Sequence, residues 1–183
     1  MWYTRDRKQV FTMLKTNIRR LVLAALFTAL TVVATMVIRV PSPLGGYANL
    51  GDTLVLLSAW VLGPVWGMAA GGIGSMLADL LGYPPYAAAT LVIKALMALL
   101  AGGIFRAMGR KGRRLVARLV GALAAEMLMV LGYFAFEGLF LGLGWSAALN
   151  IPFNLVQGAV CLVAAVALAQ VLERARALEH LQK

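Results

Sequence analysis

Charged side chains, cysteine and histidine are all scarce in this sequence of 183 residues. Only 13% of the residues are charged and 62% are hydrophobic, whereas an ordinary soluble domain carries about 25% charged residues. A soluble core of this size cannot hide so much apolar surface, so most side chains must be solvated by lipid. The single cysteine, Cys161, excludes a disulfide framework, and the single histidine, His180, stands in the polar C-terminal tail. We therefore expect no cofactor, no histidine-based zinc site and no Ser-His catalytic pair inside the membrane.

The chain also lacks a nucleotide-binding loop, because no segment reads G-x-x-x-x-G-K-[ST]. A spanning helix needs about 20 apolar residues, so six spans use about 120 residues and leave room only for loops and tails. If this protein moves a solute against a gradient, another protein must supply the energy.

Basic residues give the chain a net charge of +10, and most of them fall into three groups. The groups are Arg5, Arg7, Lys8, Lys15, Arg19 and Arg20; Arg106, Arg110, Lys111, Arg113, Arg114 and Arg118; and Arg174, Arg176 and Lys183. Each group flanks an apolar run, which favours the positive-inside rule over nucleic-acid binding. Both termini are thus predicted to be cytoplasmic, with residues 1–19 an amphipathic segment at the membrane surface and residues 174–183 a tail.

The apolar runs predict an all-α integral membrane protein with six transmembrane helices, at residues 20–40, 50–62, 64–82, 87–106, 115–140 and 147–173. The uncharged run 53–78 is divided at Gly63-Pro64, because a break there places all three basic groups on the cytoplasmic side. The second helix, with about 13 residues, spans only ~20 Å and cannot cross a core of ~30 Å. We therefore expect the preceding loop, residues 41–49, to dip into the bundle and line a cavity.

The third predicted helix carries small residues on one face, where Gly67, Gly71, Ser75 and Asp79 follow one another in steps of four. Small residues at this spacing let helices approach closely. Asp79 differs from the others, because a carboxylate within a span is costly and needs a partner.

Polar side chains within the predicted spans lie almost entirely in the outer half of the bundle, together with several aromatic residues. These residues are Arg39, Tyr47, Asn49, Asp52, Asp79, Tyr83, Tyr86, Thr90, Lys94, Glu126, Tyr133, Glu137, Trp145, Asn150, Asn154 and Gln157. A channel needs a polar path across the whole membrane, whereas a cavity open to the outside needs polar groups on one side only. The pattern favours a cup that holds a small aromatic, hydroxylated solute.

Several of these residues also have purely structural interpretations. Trp145 and Tyr133 are typical of aromatic belts at the membrane boundary. Arg39 and Asp52 could form an interfacial ion pair, and Lys94 could neutralise either Asp79 or Glu126. For Asn150, Asn154 and Gln157, which share one face of the sixth predicted helix, contact with the solute is favoured over hydrogen bonding between helices.

A series of short motifs occurs in order over roughly residues 20–105. They are Ala24-Ala25-Leu26-Phe27-Thr28-Ala29, Gly46-Tyr47-Ala48-Asn49-Leu50-Gly51-Asp52, Leu62-Gly63-Pro64, Gly71-Gly72-Ile73-Gly74-Ser75, Ala78-Asp79-Leu80, Gly82-Tyr83 and Ile93-Lys94. In this order and spacing the sequence resembles the substrate-binding S components of energy-coupling factor (ECF) vitamin transporters. Within them it is most similar to the branch assigned to pyridoxine or hydroxymethylpyrimidine.

The resemblance implies a protein of a prokaryotic cytoplasmic membrane that captures a small vitamin or vitamin precursor from outside. Its partners would be a membrane coupling (T) subunit, two cytosolic ATPase subunits and the lipid bilayer, with no nucleic acid. Ala25 and Ala29 would form the surface that docks on the coupling subunit. Riboflavin or another vitamin is the alternative substrate. A self-sufficient channel and a small membrane enzyme are the alternative classes, and the protein is not expected to be an enzyme.

We expect no catalytic residue and no metal ligand in this sequence. The residues predicted to bind the solute are Tyr47, Asn49, Asp52, Asp79, Tyr83, Tyr86, Lys94, Glu137, Asn150, Asn154 and Gln157. Their carboxylates and amides would hold hydroxyl groups and ring nitrogens, and their tyrosines would stack on a ring or close over it.

Overall fold

A computed structural model describes residues 3–109 and 112–175, and most of these residues are helical. The helices are α1 (Tyr3–Val37), α2 (Gly51–Leu62), α3 (Pro64–Gly82), α4 (Ala87–Met108), α5 (Arg114–Leu139) and α6 (Ile151–Arg174). Between α1 and α2, strands β1 (Arg39–Pro41) and β2 (Tyr47–Asn49) pair antiparallel as a short hairpin. Two 3₁₀ turns, Pro84–Tyr86 and Gly144–Asn150, lead into α4 and α6.

The helix lengths confirm the predicted six-helix membrane fold. Five helices of the described part are long and apolar enough to cross a membrane: α1 from Asn17 onward, α3, α5, and α4 and α6 together with the 3₁₀ turns that precede them. Helix α2 has 12 residues, which at 1.5 Å per residue gives about 18 Å and falls short of the bilayer core.

The helix boundaries differ from the prediction mainly at α1 and α6. Helix α1 runs back without a break to Tyr3, so the predicted surface segment continues the first span, and it ends at Val37 instead of residue 40. Pro41 lies just beyond this end and cannot donate a backbone hydrogen bond to a helix. Helix α6 begins at Ile151 instead of residue 147, because Pro152 suits a first turn and not a helix interior.

Part of the predicted charge pattern lies outside the described residues. This applies to Arg110, Lys111, Arg176 and Lys183, to His180 and to most of the predicted C-terminal tail.

Helix α2 lies in the middle of the bundle, where it contacts α1, α3, α4 and α6. Its side chains Val55 and Leu56 are fully buried, as are Met97 of α4 and Met129 of α5. These side chains form an apolar layer in the middle of the bundle. A polar solute site must therefore lie towards one end of the helices.

The glycine-bearing face of α3 packs directly on α2, as its spacing predicts. A Cβ atom on Gly67 would lie 2.5 Å from the Cα of Ala59, and one on Gly71 would lie 3.0 Å from Cγ1 of Val55. Since no side chain fits at Gly67, the two backbones can approach closely only with glycine there. This contact fixes α3 against α2 and so sets the position of Asp79, three turns further along α3.

Candidate functional site

The β1–β2 hairpin lies at the end of the bundle where α1, α3 and α5 finish and α2, α4 and α6 begin. We call this the hairpin end, and we call the opposite end, which carries Arg20, Arg106 and Arg118, the basic end. The hairpin turns sharply at Gly45 and Gly46, whose φ angles of 100° and 76° favour glycine.

A pocket lies at the hairpin end, between the hairpin, the end of α3, the turn that leads into α4, and helices α5 and α6. Its lining residues are Ser42, Gly46, Tyr47, Asn49, Asp79, Tyr83, Tyr86, Tyr133, Glu137, Asn154 and Gln157. The cavity that they enclose is small, about 30 Å³. The lining side chains therefore nearly meet, and a solute larger than water has to part them.

Asp79 is the acidic group at the α3 side of the pocket, and it accepts a hydrogen bond from the Tyr47 hydroxyl of the hairpin. The guanidinium of Arg39 lies 4.7 Å from the centre of the Tyr47 ring and donates to the Ala78 carbonyl at 3.5 Å. Burial first, and then the hydrogen bond to Asp79, raise the pKa of the Tyr47 hydroxyl above its ordinary value. Arg39 thus packs on Tyr47 and does not form the predicted ion pair with Asp52.

Three aromatic rings form one wall of the pocket. Tyr86 lies with its ring centre 5.0 Å from that of Tyr83 and 6.1 Å from that of Tyr133. Behind it, Phe136 packs edge-on against Tyr86 with a centre-to-centre distance of 5.3 Å. The Tyr133 hydroxyl shares a hydrogen bond of 2.9 Å with Thr90, which fixes this ring at the α4–α5 contact.

Glu137 is the acidic group at the α5 side of the pocket. Its Oε1 atom accepts a hydrogen bond of 3.1 Å from the Tyr86 hydroxyl. Its Oε2 atom is buried and meets no donor with good hydrogen-bond geometry among the described residues, although the Asn150 amide lies close to this carboxylate. A solute that offers a hydroxyl or an N–H group here would satisfy this oxygen, which is costly to leave unpaired.

Lys94 forms its ion pair with Asp52, not with Asp79 or Glu126, which corrects both alternatives of the sequence analysis. The Lys94 ammonium lies 2.5 Å from Asp52 Oδ1, and both side chains are almost completely buried. The same ammonium lies 5.2 Å from the centre of the Tyr133 ring. The ion pair therefore stands behind the pocket wall, and neither of its members lines the pocket.

Asn150 does not line the pocket either; it contacts the tip of the hairpin. Its Oδ1 atom accepts a hydrogen bond of 3.3 Å from the Leu44 backbone, and its Nδ2 atom donates to the Gly45 carbonyl at 3.5 Å. Both bonds are long. Asn150 therefore attaches the tip loosely to the turn that precedes α6.

The structure brings most of the predicted solute-binding residues together. Eight of them line the pocket: Tyr47, Asn49, Asp79, Tyr83, Tyr86, Glu137, Asn154 and Gln157. Asp52, Lys94 and Asn150 do not.

The pocket also contains residues that were not among the predicted solute-binding set. Ser42 and Gly46 come from the hairpin turn, and Tyr133 belongs to the α5 face that already carried Glu126 and Glu137. The sequence did contain a signal for Tyr133, because it precedes Glu137 by four residues and so shares a helix face with it. Trp145, in contrast, is 87% exposed and contacts Phe134, so it faces outward in the manner of a belt residue.

Outside the pocket, Ala25 and Ala29 are both exposed on one side of α1. Within residues 3–109 and 112–175, no cluster of His, Cys, Asp or Glu side chains has the geometry to hold a metal ion.

The chain is similar to known transport proteins along most of its length. Residues 15–174 match the family described as ECF-type riboflavin transporter, S component. An uncharacterized protein of Pyrococcus woesei is 39% identical over 117 residues, which are 63% of this chain and 76% of that protein. A solved structure described as the S component of a bacterial ECF transporter has the same fold, with a TM-score of 0.66 and 22% identity, over 86% of this chain and 97% of the other.

S components are substrate-binding subunits of transporters and not enzymes, and they work with membrane partner subunits on a small-molecule substrate. The apolar helices of this chain agree with that role. The chain therefore belongs to the family of ECF transporter S components, and it is a multi-pass protein of the cytoplasmic membrane.

Proposed function

We propose that this S component captures a hydroxylated heteroaromatic vitamin or vitamin precursor, with pyridoxine or hydroxymethylpyrimidine as the preferred solute. The observation that carries the proposal is the pocket itself, in which two carboxylates, Asp79 and Glu137, accompany a wall of tyrosine rings. Rings of this kind bind an aromatic solute by offset or edge-on packing. The carboxylates accept hydrogen bonds from hydroxymethyl or ring N–H groups.

The small size of the pocket supports a single-ring solute. Tyr83 and Tyr86 already pack against each other, and little of the space between the walls is open to water. Asn154 adds an amide group with a donor and an acceptor on the α6 side, next to Gln157, whose own amide is bonded to Asp52 and Asn49. A single ring with several hydroxyl groups needs less displacement of these walls than a tricyclic ring.

Riboflavin is the second candidate, and the observation that favours it is the description of the matching family. Binding of its larger ring system requires that the hairpin move away from α6. The long hydrogen bonds of Asn150 to the hairpin tip, at 3.3 and 3.5 Å, are consistent with such a movement.

We infer that the pocket opens to the outside and that the basic end lies in the cytoplasm. The basic groups of the described residues favour this orientation through the positive-inside rule. In the described part of the chain, the buried apolar side chains Leu56, Met97 and Met129 lie between the two ends of the bundle, which argues against a polar channel. Release to the inside then requires a partner, and we propose that the coupling subunit docks on Ala25 and Ala29, with two ATPases supplying the energy.

Direct binding measurements test this function. Purified protein in lipid nanodiscs is titrated calorimetrically with pyridoxine, hydroxymethylpyrimidine and riboflavin, and with ribitol as a hydroxylated solute without a ring. We expect saturable binding of one of the first two, weaker or no binding of riboflavin, and none of ribitol. The Glu137→Gln variant should bind the same solute less tightly, because an amide can place only one acceptor where the carboxylate has two.

Three results would contradict the proposal. If none of the three heterocycles binds saturably, the vitamin assignment is excluded. If riboflavin binds most tightly, riboflavin and not a single-ring vitamin is the solute. Solute flux into liposomes that contain this chain alone would instead indicate a self-sufficient facilitator.

A further inference from the structure

A buried ion pair stands directly behind the pocket, and its hydrogen bonds lead into the pocket wall. Asp52 on α2 and Lys94 on α4 are 0% and 3% exposed in their side chains. Asp52 Oδ1 contacts the Lys94 ammonium at 2.5 Å, while Asp52 Oδ2 accepts a hydrogen bond of 2.6 Å from Gln157 Nε2. Both oxygens of Asp52 are thus engaged, one by the ion pair and one by a residue that lines the pocket.

The second contact fixes the orientation of the Gln157 amide. A carboxylate can only accept, so the NH₂ group of Gln157 must face Asp52. The amide oxygen then points the other way, where it accepts a hydrogen bond of 2.8 Å from the backbone N–H of Asn49. Because a backbone N–H can only donate, both ends of the Gln157 amide are determined by their partners.

Asn49 connects this row of bonds to the hairpin. It is the last residue of β2, and its side-chain Oδ1 accepts a hydrogen bond of 2.8 Å from the Gly51 N–H at the start of α2. Its carbonyl accepts a bond from the Cys161 thiol at 3.4 Å. The base of the hairpin is therefore held by short bonds, in contrast to its tip at Asn150.

We propose that Asp52 and Lys94 are positioning residues for solute binding: they act through Gln157 to hold Asn49 and the base of the hairpin in place. This inference rests on the proposed function of the pocket, although the part that concerns the hairpin can be tested without a solute. A buried ion pair often adds little net stability over an apolar replacement, because desolvation offsets the attraction. Here we expect the ion pair to act by orienting two pocket residues, Gln157 and Asn49.

The decisive variants change the number of acceptor atoms at position 52. In Asp52→Asn a single acceptor oxygen remains for two donors, Lys94 and Gln157, so one of them loses its partner. The double variant Asp52→Asn, Lys94→Met removes the competing ammonium and leaves that oxygen free to accept from Gln157. We expect Asp52→Asn to weaken solute binding about 10-fold or more, and the double variant to return to within about threefold of the wild type.

Two comparison variants separate positioning from general stability. Thr31→Val changes another buried polar side chain, whose hydroxyl donates to the Phe27 carbonyl of its own helix and makes no hydrogen bond to Gln157, and it should leave the affinity unchanged. In a Gln157→Leu background the contact to Asn49 is already lost, so Asp52→Asn should have no further effect on affinity. If the affinity of all variants instead follows their thermal stability, or if the double variant fails to regain affinity, the pair is structural only.

Hydrogen exchange of the solute-free protein gives a readout that does not depend on the identity of the vitamin. Asp52→Asn should speed amide exchange in the segment 39–50 while leaving the centres of α3 and α4 protected, and the double variant should reverse the change. If the wild type binds none of the heterocycles but this exchange pattern appears, the proposed substrate fails and the positioning of the hairpin stands. Unchanged exchange in the segment 39–50 of Asp52→Asn overturns the inference even where the vitamin binds.

Discussion

The hydroxyl of Tyr47 donates a hydrogen bond to the carboxylate of Asp79 and so joins the hairpin to α3 inside the pocket. These two residues are 32 positions apart in the sequence, and both line the pocket. The guanidinium of Arg39 lies over one face of the Tyr47 ring. The contact closes one side of the pocket and supplies the partner that a carboxylate within a span requires.

Loss of this hydrogen bond should weaken solute binding. The Tyr47→Phe variant removes the donor and leaves a buried oxygen of Asp79 without its partner, so we expect affinity to fall about 10- to 100-fold. Calorimetric titration in nanodiscs measures the change. In an Asp79→Ala background the Tyr47→Phe substitution should have no further effect, and equal affinities of wild type and Tyr47→Phe would show that the contact does not shape the pocket.

The same contact should make stability depend on pH in the alkaline range. The pKa of Tyr47 is raised in the folded protein by burial and by Asp79, whereas the unfolded chain ionises at the ordinary value of about 10. A group with a raised folded pKa contributes its full stability below the unfolded pKa and loses it as the pH rises further. The difference in thermal stability between wild type and Tyr47→Phe should thus be constant from pH ~7 to ~9 and shrink above pH ~10.

Because the other tyrosines are present in both proteins, their ionisation largely cancels in this difference. A difference that stays constant up to pH ~11, above the ordinary tyrosine pKa, would exclude the raised pKa of Tyr47.

Helical periodicity is enough to predict which side chains share a face and at what depth they lie. Periodicity and the predicted span boundaries together placed Asp79, and the residues Tyr83 and Tyr86 between the third and fourth spans, at the end of the bundle where the structure has the pocket. Periodicity cannot predict which helix packs against a given face, and for this reason both predicted partners of Lys94, Asp79 and Glu126, were wrong. Asp52 and Lys94 are brought together by the crossing of α2 and α4, a relationship that depends on how all the helices pack.

Departures from regular helix explain the other differences. Asn150 belongs to a 3₁₀ turn, so it does not keep the phase that would align it with Asn154 and Gln157 on α6. The hairpin was predicted only as a loop that lines a cavity. Its two strands have three residues each, which is too short for an alternating hydrophobic pattern to reveal them in the sequence. The turn between them was therefore not predicted, and its pocket residues Ser42 and Gly46 were missed.

The close approach of α2 and α3 should make Gly67 intolerant of any side chain. A Cβ atom there would lie 2.5 Å from the Cα and 2.8 Å from the N of Ala59, and both are backbone atoms that cannot turn away. We expect Gly67→Ala to destabilise the protein by about 1–3 kcal/mol. Thermal unfolding in detergent, followed by circular dichroism, measures the loss.

Gly103 provides the matched control on α4, because a Cβ atom there would meet nothing within 4 Å. Gly103→Ala should be neutral or stabilise the helix by about 0.4–1 kcal/mol. If Gly67→Ala is as stable as Gly103→Ala, the backbones of α2 and α3 do not approach as closely as described.

The exposed residues Ala25 and Ala29 of α1 should be required for assembly with the coupling subunit but not for solute binding. Ala25→Trp places a large ring on a surface where two helices would otherwise meet through small side chains. When the chain is produced together with a coupling subunit and its ATPases, we expect a tagged Ala25→Trp variant to recover neither partner, while its solute affinity equals that of the wild type. Ala25 belongs to α1, and no described residue of α1 lines the pocket. Ala167→Trp, also exposed but on α6, should assemble normally, and equal recovery of partners by both variants would exclude α1 as the docking surface.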